Sequence, residues 1–446
     1  MAVAVLALVA AAALVATVLG ALAGGRLDEP SGAAPTDAAT AAAPRPSTTA
    51  PDPRPTTTTA PPACDRRDEL DAGVEPVPAE LRARVDAALA HPGWSGLDRS
   101  VSVWVEGYGE VAAVDPDRAL LPASNQKLLT AVGVHLLLDP AERFRTEVRR
   151  AGDELVLRAG GDPTLRARGA HSLQALAAEV ARAGVGAVSG LRVDATVFEA
   201  ATSARGWQDW QVPTYVGPMS GLVVDDNRGR TDGAYLADPA LGNGAAFARA
   251  LGGVGVTVPA PVVHGAADPL TPVVAAVESA PVGELTRSML QRSDNEIAES
   301  LLRRVGDGST DVGLARIAEA LEPWCLHLRG ESGDGSGLSR ADHRSAREWR
   351  RVLQVALEQP WGPELRDALP VAGVSGTLAG RLGGPTTAGR VQAKTGTIIG
   401  GAALSGYATT GDGRLVVFSV VENGEPGAAS RGVASIDAVV RAVVGA

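Results

Sequence analysis

Lysine is almost absent from this chain. Of its 41 lysine and arginine residues, 39 are arginine, and the two lysines are Lys127 and Lys394. An arginine guanidinium is a flat fork that stays protonated at any ordinary pH, whereas a lysine ammonium is compact and can lose its proton. The two lysines are therefore candidates for chemistry that arginine cannot perform, either as a base or as a point charge in a narrow site.

Excess basic charge, metal-binding motifs and aromatic residues are also missing or scarce. The net charge of −10 argues against nucleic acid as a partner, because such a partner needs a basic face. The six histidines are scattered and no C-x-x-C motif occurs, so we expect neither a metal site nor a cofactor. Aromatic residues make up 3% of the chain, which predicts a core of Ala, Val and Leu.

The N-terminal segment, residues 1–27, is apolar. Residues 2–23 carry no charge, end in Ala21-Leu22-Ala23, and are numerous enough to cross a bilayer. Two interpretations stay open, a cleaved secretory signal and an N-terminal membrane anchor. Both predict that the rest of the chain is extracytoplasmic and meets the membrane only through this segment.

Residues 28–63 are mostly Ala, Pro, Thr and Ser, a composition that cannot build a packed core. We expect a disordered tether here. The only cysteines are Cys64, at the end of this tether, and Cys325. An even number of cysteines in an exported chain favours a disulfide bond between them, and two buried thiols are the alternative.

Hydrophobic periodicity predicts a strand–strand–helix order before the middle of the chain and a strand hairpin with a covering helix at its end. Between them, residues 147–281 alternate Val and Leu runs with Gly, Asp and Pro, which predicts a mostly β insert. The predicted elements are a helix at 78–90, strands at 101–105 and 111–114, helices at 124–138 and 172–182, strands at 391–399, 404–408 and 414–421, and a last helix.

Three short motifs stand out in this framework. They match the S-x-x-K, S-x-N and K-T-G motifs of penicillin-recognising serine enzymes, in the same order. Chance alone produces any one of them often, but three in order, each in a suitable context, are improbable by chance. The motifs are Ser124-Asn125-Gln126-Lys127, Ser293-Asp294-Asn295 and Lys394-Thr395-Gly396.

The first motif predicts a nucleophile and its base. Three residues apart on a helix, Ser124 and Lys127 lie on one face, so the amine can reach the hydroxyl. A hydroxyl needs an adjacent base to become a nucleophile. Lysine can serve as this base only if burial or a nearby ammonium, such as that of Lys394, lowers its pKa.

The second motif allows two interpretations. Ser293 with Glu296 three residues later forms a capping box, which would make the serine a structural helix cap. In the catalytic interpretation, Ser293 relays a proton and the Asn295 amide binds a peptide substrate. The presence of the other two motifs favours the catalytic interpretation.

The third motif predicts a substrate-binding strand. Lys394 can neutralise a substrate carboxylate, Thr395 can hydrogen-bond to it, and Gly396 would let a substrate backbone approach closely. The backbone N–H groups of Thr397 and Ser124 would together stabilise an oxyanion.

The chain resembles the D-alanyl-D-alanine carboxypeptidase/endopeptidase branch of low-molecular-mass penicillin-binding proteins, the branch with a large insert after the first motif. Beyond the motifs, Asp334-Gly335-Ser336-Gly337-Leu338-Ser339-Arg340 is a highly specific signature of this branch. Asp342 stands where Asn is frequent in the family. Further matching segments are residues 122–130, 144–146, 160–165, 369–373, 376–378 and 393–397.

The resemblance implies an α/β fold of the serine β-lactamase/transpeptidase type, in which helices cover an antiparallel sheet and an all-helical lobe adjoins it. The catalytic domain would comprise residues 64–146 and 282–446, and residues 147–281 would form the insert. The chain would hydrolyse the D-Ala-D-Ala bond of peptidoglycan stem peptides through an acyl-enzyme on Ser124, and β-lactams would inhibit it. Leu338 and Arg340 would line the pocket for the stem side chain.

Three alternatives remain at this point. A serine β-lactamase shares the motifs, but the long insert and the lack of an obvious second base argue against it. An esterase on the same scaffold is also compatible with the motifs, although the chain has no G-x-S-x-G elbow. A non-catalytic wall-binding module is the third, and the intact serine and lysines argue against it.

Overall fold

The fold comes from a computed structural model that describes residues 73–228, 234–427 and 429–445. The predicted signal or anchor, the tether and Cys64 lie outside these residues. The helices and strands follow in this order: α1 (Ala79–Leu89), β1 (Asp98–Val105), β2 (Gly109–Val114), α2 (Gln126–Leu137), β3 (Arg145–Ala151), β4 (Glu154–Arg158), α3 (Leu173–Arg182), β5 (Gly190–Asp194), α4 (Pro239–Gly252), β6 (Val263–His264), β7 (Val273–Glu278), α5 (Val282–Arg292), α6 (Asn295–Val305), α7 (Thr310–Leu321), α8 (Ala346–Leu357), α9 (Gly362–Ala368), β8 (Val391–Ile398), β9 (Gly401–Thr409), β10 (Leu415–Asn423) and α10 (Ala429–Val444).

The first sheet joins the two ends of the described chain. Its strand order is β2-β1-β10-β9-β8, and all neighbouring strands are antiparallel. Helices α1 and α10 cover one face, where Leu81, Val85, Ile436 and Val439 pack on the strands. The opposite face packs against the helices described next, so the sheet is buried on both sides.

An all-helical lobe covers this second face. Helices α2 and α5 to α9 share one apolar core with strand residues such as Tyr407 and Val417. Helix α2 lies in its centre, with ten of its twelve residues buried. A helix that is apolar on every side is stable only when it is surrounded by protein, and this position fixes the residues at its start. The helix-covered sheet and the helical lobe confirm the expected fold class.

The second sheet takes all its strands from residues 145–278. Its order is β6-β5-β4-β3-β7, with β4, β5 and β6 parallel and β3 antiparallel to both its neighbours. Helices α3 and α4 pack on it through Leu176, Phe247 and Leu251. The predicted helix at 172–182 is present as α3, whereas α4 was not predicted. The division into domains at residues 146 and 282 stays a prediction.

The sequence does not predict helix α4, because its residues have a low average helix propensity. It contains three glycines, each of which lowers helix propensity by about 1 kcal/mol relative to alanine. Asp238 caps its N-terminus by accepting a hydrogen bond from the Leu241 N–H at 2.9 Å, and Pro239 occupies the first turn. The close contact of Gly244 with Val193, where a Cβ would lie 2.5 Å from Cγ2, requires glycine.

Two further sequence predictions concern export. Cys325 is disulfide-bonded, as predicted, while its proposed partner Cys64 lies outside the described residues. None of the helices within residues 73–228, 234–427 and 429–445 combines the length and apolar character that crossing a membrane requires.

Gly406→Ala is expected to destabilise the first sheet. A Cβ at this position would lie 2.2 Å from the Gln392 carbonyl oxygen of β8, which therefore has to move. Overpacking of this kind costs about 1–3 kcal/mol, measured as the free energy of unfolding in denaturant titrations. Gly252→Ala, where a Cβ meets nothing within 4 Å, is the matched control. Equal stability of both variants would contradict this account of β8–β9 packing.

Candidate active site

Ser124 lies in a tight turn at the start of α2. Residues Ala123–Asn125 form a 3-10 turn, and Ala123 has a left-handed backbone with φ 47°. Such a backbone costs a non-glycine residue energy and persists only when its surroundings hold it. Gly337 packs directly against this turn, since a Cβ there would lie 1.9 Å from the Ala123 carbonyl oxygen. Packing against Gly337 therefore holds the turn that carries Ser124 in this conformation.

Lys127 brings the first two motifs together. Its Nζ donates to Ser124 Oγ at 3.1 Å, to Asn295 Oδ1 at 2.7 Å and to the Ser336 carbonyl oxygen at 2.6 Å. These three acceptors match the three N–H bonds of an ammonium. The side chain is fully buried, so it cannot exchange these partners for bulk water.

Burial dominates the electrostatics of Lys127. It lowers the pKa from 10.5 to about 8, although the carboxylates of Asp334, Glu299, Asp294 and Asp342 act in the opposite direction. Desolvation disfavours the charged form of a lysine, while nearby negative charges favour it. The net result is an amine that is partly neutral near pH 8, as a general base requires.

Ser293 occupies the junction between α5 and α6. It has a left-handed backbone with φ 57°, ends α5, and accepts a hydrogen bond from Lys394 Nζ at 2.9 Å. The cap of α6 is Asp294, whose Oδ1 accepts from the Ile297 N–H at 3.0 Å. The capping-box interpretation is therefore wrong for Ser293, because the neighbouring residue caps the helix and Ser293 faces Lys394.

Lys394 is the second buried ammonium of the site. Besides Ser293 Oγ, it donates to the Thr395 carbonyl oxygen at 2.8 Å. Burial, and then the positive charge of Lys127, lower its pKa well below the ordinary value. The charge of Lys127 thus acts on Lys394, whereas burial is what lowers the pKa of Lys127.

The β8 strand lies against the nucleophile turn at Gly396. A Cβ on Gly396 would lie 2.7 Å from the Pro122 carbonyl oxygen and 3.2 Å from Ala123 Cβ. The protein's own backbone therefore requires glycine here, and the expectation that Gly396 lets a substrate backbone approach stays a prediction. Beside it, Thr397 is exposed, and Thr395 Oγ1 hydrogen-bonds Thr377 Oγ1 at 2.8 Å.

Leu338 and Arg340 follow the Asp334 turn. The Leu338 carbonyl oxygen accepts from Gln211 Nε2 at 2.8 Å, and Arg340 donates to the carbonyl oxygen of Ile399, just after β8, at 2.8 Å. Both side chains are half-buried. Their predicted role as pocket lining stays a prediction.

Several groups in contact with the site were missed by sequence reasoning. The Ser336 carbonyl oxygen and Thr377 belong to segments that resemble the family, but the sequence predicts no role for either. The Tyr215 carbonyl oxygen accepts from Asn295 Nδ2 at 3.0 Å, and Ser405 Oγ accepts from Asn125 Nδ2 at 2.6 Å. Backbone carbonyls leave no signal in a sequence, because every residue has one.

Comparisons with known proteins agree with this site. The D-Ala-D-Ala carboxypeptidase 3 (S13) family model matches residues 81–235 and 229–443. Carboxypeptidase DacB of Mycolicibacterium smegmatis is 31% identical, over 83% of this chain and 87% of that protein. A D-alanyl-D-alanine carboxypeptidase of an Actinomadura species is 32% identical, over 78% and 82%.

A solved structure supports the fold. Penicillin binding protein 4 of Haemophilus influenzae superposes with a TM-score of 0.70 at 21% identity, covering 80% of this chain and 98% of that one. The expected family resemblance is confirmed, and the match extends through both sheets and the helical lobe. The chain belongs to the D-Ala-D-Ala carboxypeptidase 3 (S13) family and is a serine-type carboxypeptidase.

Proposed function

We propose that this carboxypeptidase removes the terminal D-Ala of peptidoglycan stem peptides through an acyl-enzyme on Ser124. The observation that carries the proposal is the 3.1 Å contact between Ser124 Oγ and a buried lysine of lowered pKa. A hydroxyl beside a base of this kind is an activated nucleophile. The names of the relatives supply the substrate class, since two are carboxypeptidases described as acting on D-alanyl-D-alanine.

Acylation begins with the neutral form of Lys127. Its amine takes the Ser124 hydroxyl proton while Oγ attacks the carbonyl carbon of the penultimate D-Ala. The N–H groups of Ser124 and Thr397 stabilise the oxyanion. Contact between Gly396 and Pro122 supports this assignment, because it keeps β8 against the nucleophile turn.

Departure of D-Ala completes acylation. The C–N bond breaks as the leaving amine receives the proton that Lys127 took from Ser124, relayed by the Ser293 hydroxyl, so that Lys127 is neutral again. Ser293 Oγ accepts a hydrogen bond from Lys394 Nζ at 2.9 Å, which orients this hydroxyl. Lys394 and Thr395 bind the substrate carboxylate, and Asn295 binds the peptide amide. Water then attacks the ester carbonyl while neutral Lys127 accepts its proton. Lys127 returns this proton to Ser124 Oγ as the acyl–oxygen bond breaks, so the shortened peptide leaves and both residues are restored.

β-Lactams are proposed to react with the same serine. Their ring amide takes the place of the D-Ala-D-Ala bond, but the ring opens without producing a separate leaving group, so the ester persists. Penicillin binding protein 4 of Haemophilus influenzae, which shares this fold, has been solved in complex with a β-lactam. The peptidoglycan substrate also implies work outside the cytoplasm, which the apolar segment at residues 1–27 and the disulfide of Cys325 support.

Ser124→Ala is expected to abolish covalent labelling. Intact-protein mass spectrometry after incubation with benzylpenicillin should show one drug adduct on the wild-type chain and none on the variant, because the attacking oxygen is gone. Ser405→Ala, which removes a buried hydroxyl that accepts from Asn125, serves as the control. Labelling of the Ser124→Ala protein would place the nucleophile elsewhere, and loss of the drug without any adduct would favour a β-lactamase.

The two lysines should respond differently to arginine. Lys127→Arg is expected to lower the acylation rate constant by at least about a hundredfold, because Arg keeps the charge but cannot accept the proton. Lys394→Arg should cost less, since charge is the main contribution of Lys394 to carboxylate binding. Stopped-flow acylation with a chromogenic β-lactam measures both. Normal acylation by Lys127→Arg would rule out its role as base.

Acylation should rise with pH through a midpoint near 8. The neutral amine of Lys127 is the reactive form, and its fraction increases as pH passes the lowered pKa of about 8. The rate constant should therefore fall about tenfold per pH unit below the midpoint and level off above it. Burial also raises the pKa of Glu299 to about 8, so Glu299→Gln is the control. Loss of the midpoint in that variant would assign it to the carboxyl.

A further inference from the structure

Asp334 is the most heavily hydrogen-bonded side chain near the site, yet the mechanism does not use it. It is completely buried. Its Oδ1 accepts from the Gly337 N–H at 2.7 Å, and its Oδ2 accepts from the N–H groups of Leu338 and Ser339, each at 2.9 Å. The Ser336 hydroxyl donates to the same oxygen at 3.0 Å. One carboxylate thus folds residues 334–339 into a closed turn.

This turn holds two parts of the acylation machinery. The Ser336 carbonyl oxygen accepts from Lys127 Nζ at 2.6 Å, the shortest of the three contacts of that amine. Gly337 packs against the carbonyl oxygen of Ala123, next to the nucleophile. The fold of the turn therefore determines where the base and the Ser124 turn lie relative to each other.

A further hydrogen bond to the Asp334 carboxylate comes from residues 147–281. Trp207 Nε1 donates to Asp334 Oδ2 at 2.7 Å. The residues around Trp207 lie along the turn. The Arg340 N–H donates to the Gly206 carbonyl oxygen at 3.0 Å, and Gln211 Nε2 donates to the Leu338 carbonyl oxygen. It then reaches the site itself, where the Tyr215 carbonyl oxygen accepts from Asn295. Residues 205–215, here named the strap, thus connect the turn to catalytic residues.

We propose that Asp334 is a positioning residue for the general base: its carboxylate folds the turn whose Ser336 carbonyl holds Lys127, and Trp207 of the strap fixes that carboxylate. The inference rests on the proposed role of Lys127 as base. It also gives residues 147–281 an indirect function in acylation, because Trp207 donates to the carboxylate that folds the turn.

Asparagine cannot replace Asp334 in this arrangement. Oδ2 accepts from four donors and Oδ1 from one. An asparagine amide has one oxygen, so its NH₂ group would replace either Oδ1 or Oδ2 and would face N–H donors that need an acceptor. The substitution also removes a negative charge that favours the ammonium form of Lys127. Two effects follow. The turn loses its fold and displaces the Ser336 carbonyl that holds Lys127, and the Lys127 amine becomes easier to deprotonate.

The test is the pH profile of the acylation rate constant for Asp334→Asn. The plateau at high pH should fall about tenfold to a hundredfold, since small displacements of a catalytic group have effects of this size. The midpoint should move to lower pH, because a carboxylate that stabilises the ammonium is gone. A fold that is merely loosened lowers the whole profile without moving its midpoint.

Within the described part of the chain, four other titratable groups face Lys127. Asp334 raises the pKa of two of them, Glu299 and Asp342, so its removal favours their ionised forms, which opposes part of the shift of the midpoint. The four groups are the carboxyl groups of Glu299, Asp294 and Asp342 and the amine of Lys394. Trp207→Phe removes the strap's hydrogen bond and keeps the charge of Asp334, so its plateau should fall while its midpoint does not move to lower pH.

Asp194→Asn is the matched control. This buried carboxylate also holds a loop, accepting from the N–H groups of Thr196 at 3.0 Å and Ala267 at 2.9 Å, but it lies in the second sheet. A wild-type plateau and midpoint in Asp334→Asn would overturn the proposal, as would the same changes in Asp194→Asn. If Asp334→Asn does not fold, a wild-type plateau in Trp207→Phe overturns it. Normal acylation by Lys127→Arg in the same assay would instead refute the proposed base.

Discussion

The site depends on one buried ammonium. Lys127 has lost all contact with solvent and meets three acceptors, one from each of three chain segments that are distant in sequence. Moving a charge out of water is costly unless hydrogen bonds and opposite charges compensate. The surrounding carboxylates compensate in part, and the remaining deficit is what lowers the pKa of the amine. Reactivity and the assembly of the site therefore share one physical origin.

The same constraint explains the distribution of basic residues. Arginines elsewhere in the chain make ion pairs and donate to backbone carbonyls through a planar guanidinium. Inside the protein, Arg344 pairs with Glu348 and Arg303 donates to the Ala201 carbonyl oxygen. Neither task requires a proton to leave. Only the two positions that need a compact amine of adjustable charge hold lysine.

Sequence reasoning reached the local parts of the structure. The motif at Ser124 and Lys127 depends on one helical turn, so its geometry follows from spacing alone, and the strongly apolar α2 was predictable for the same reason. The sequence does not predict groups whose role depends on backbone from distant parts of the chain. The carbonyl of Tyr215 and the contact of Gly396 with Pro122 arise only when the strap and β8 reach the site. Helix α4 was missed because tertiary packing overrides its weak propensity.

The first sheet has a consequence for the synthesis of the protein. Strand β1, near residue 100, pairs with β10, whose last residue is Asn423. Strand β10 pairs with β9, and β9 pairs with β8, the strand that carries Lys394. Non-local pairing of this kind is slow and cannot start before both partners are present. The second sheet, by contrast, closes within residues 145–278 and can fold while the chain is still emerging. The first sheet, and with it the site around Ser124, therefore cannot be complete until the final strands have been made.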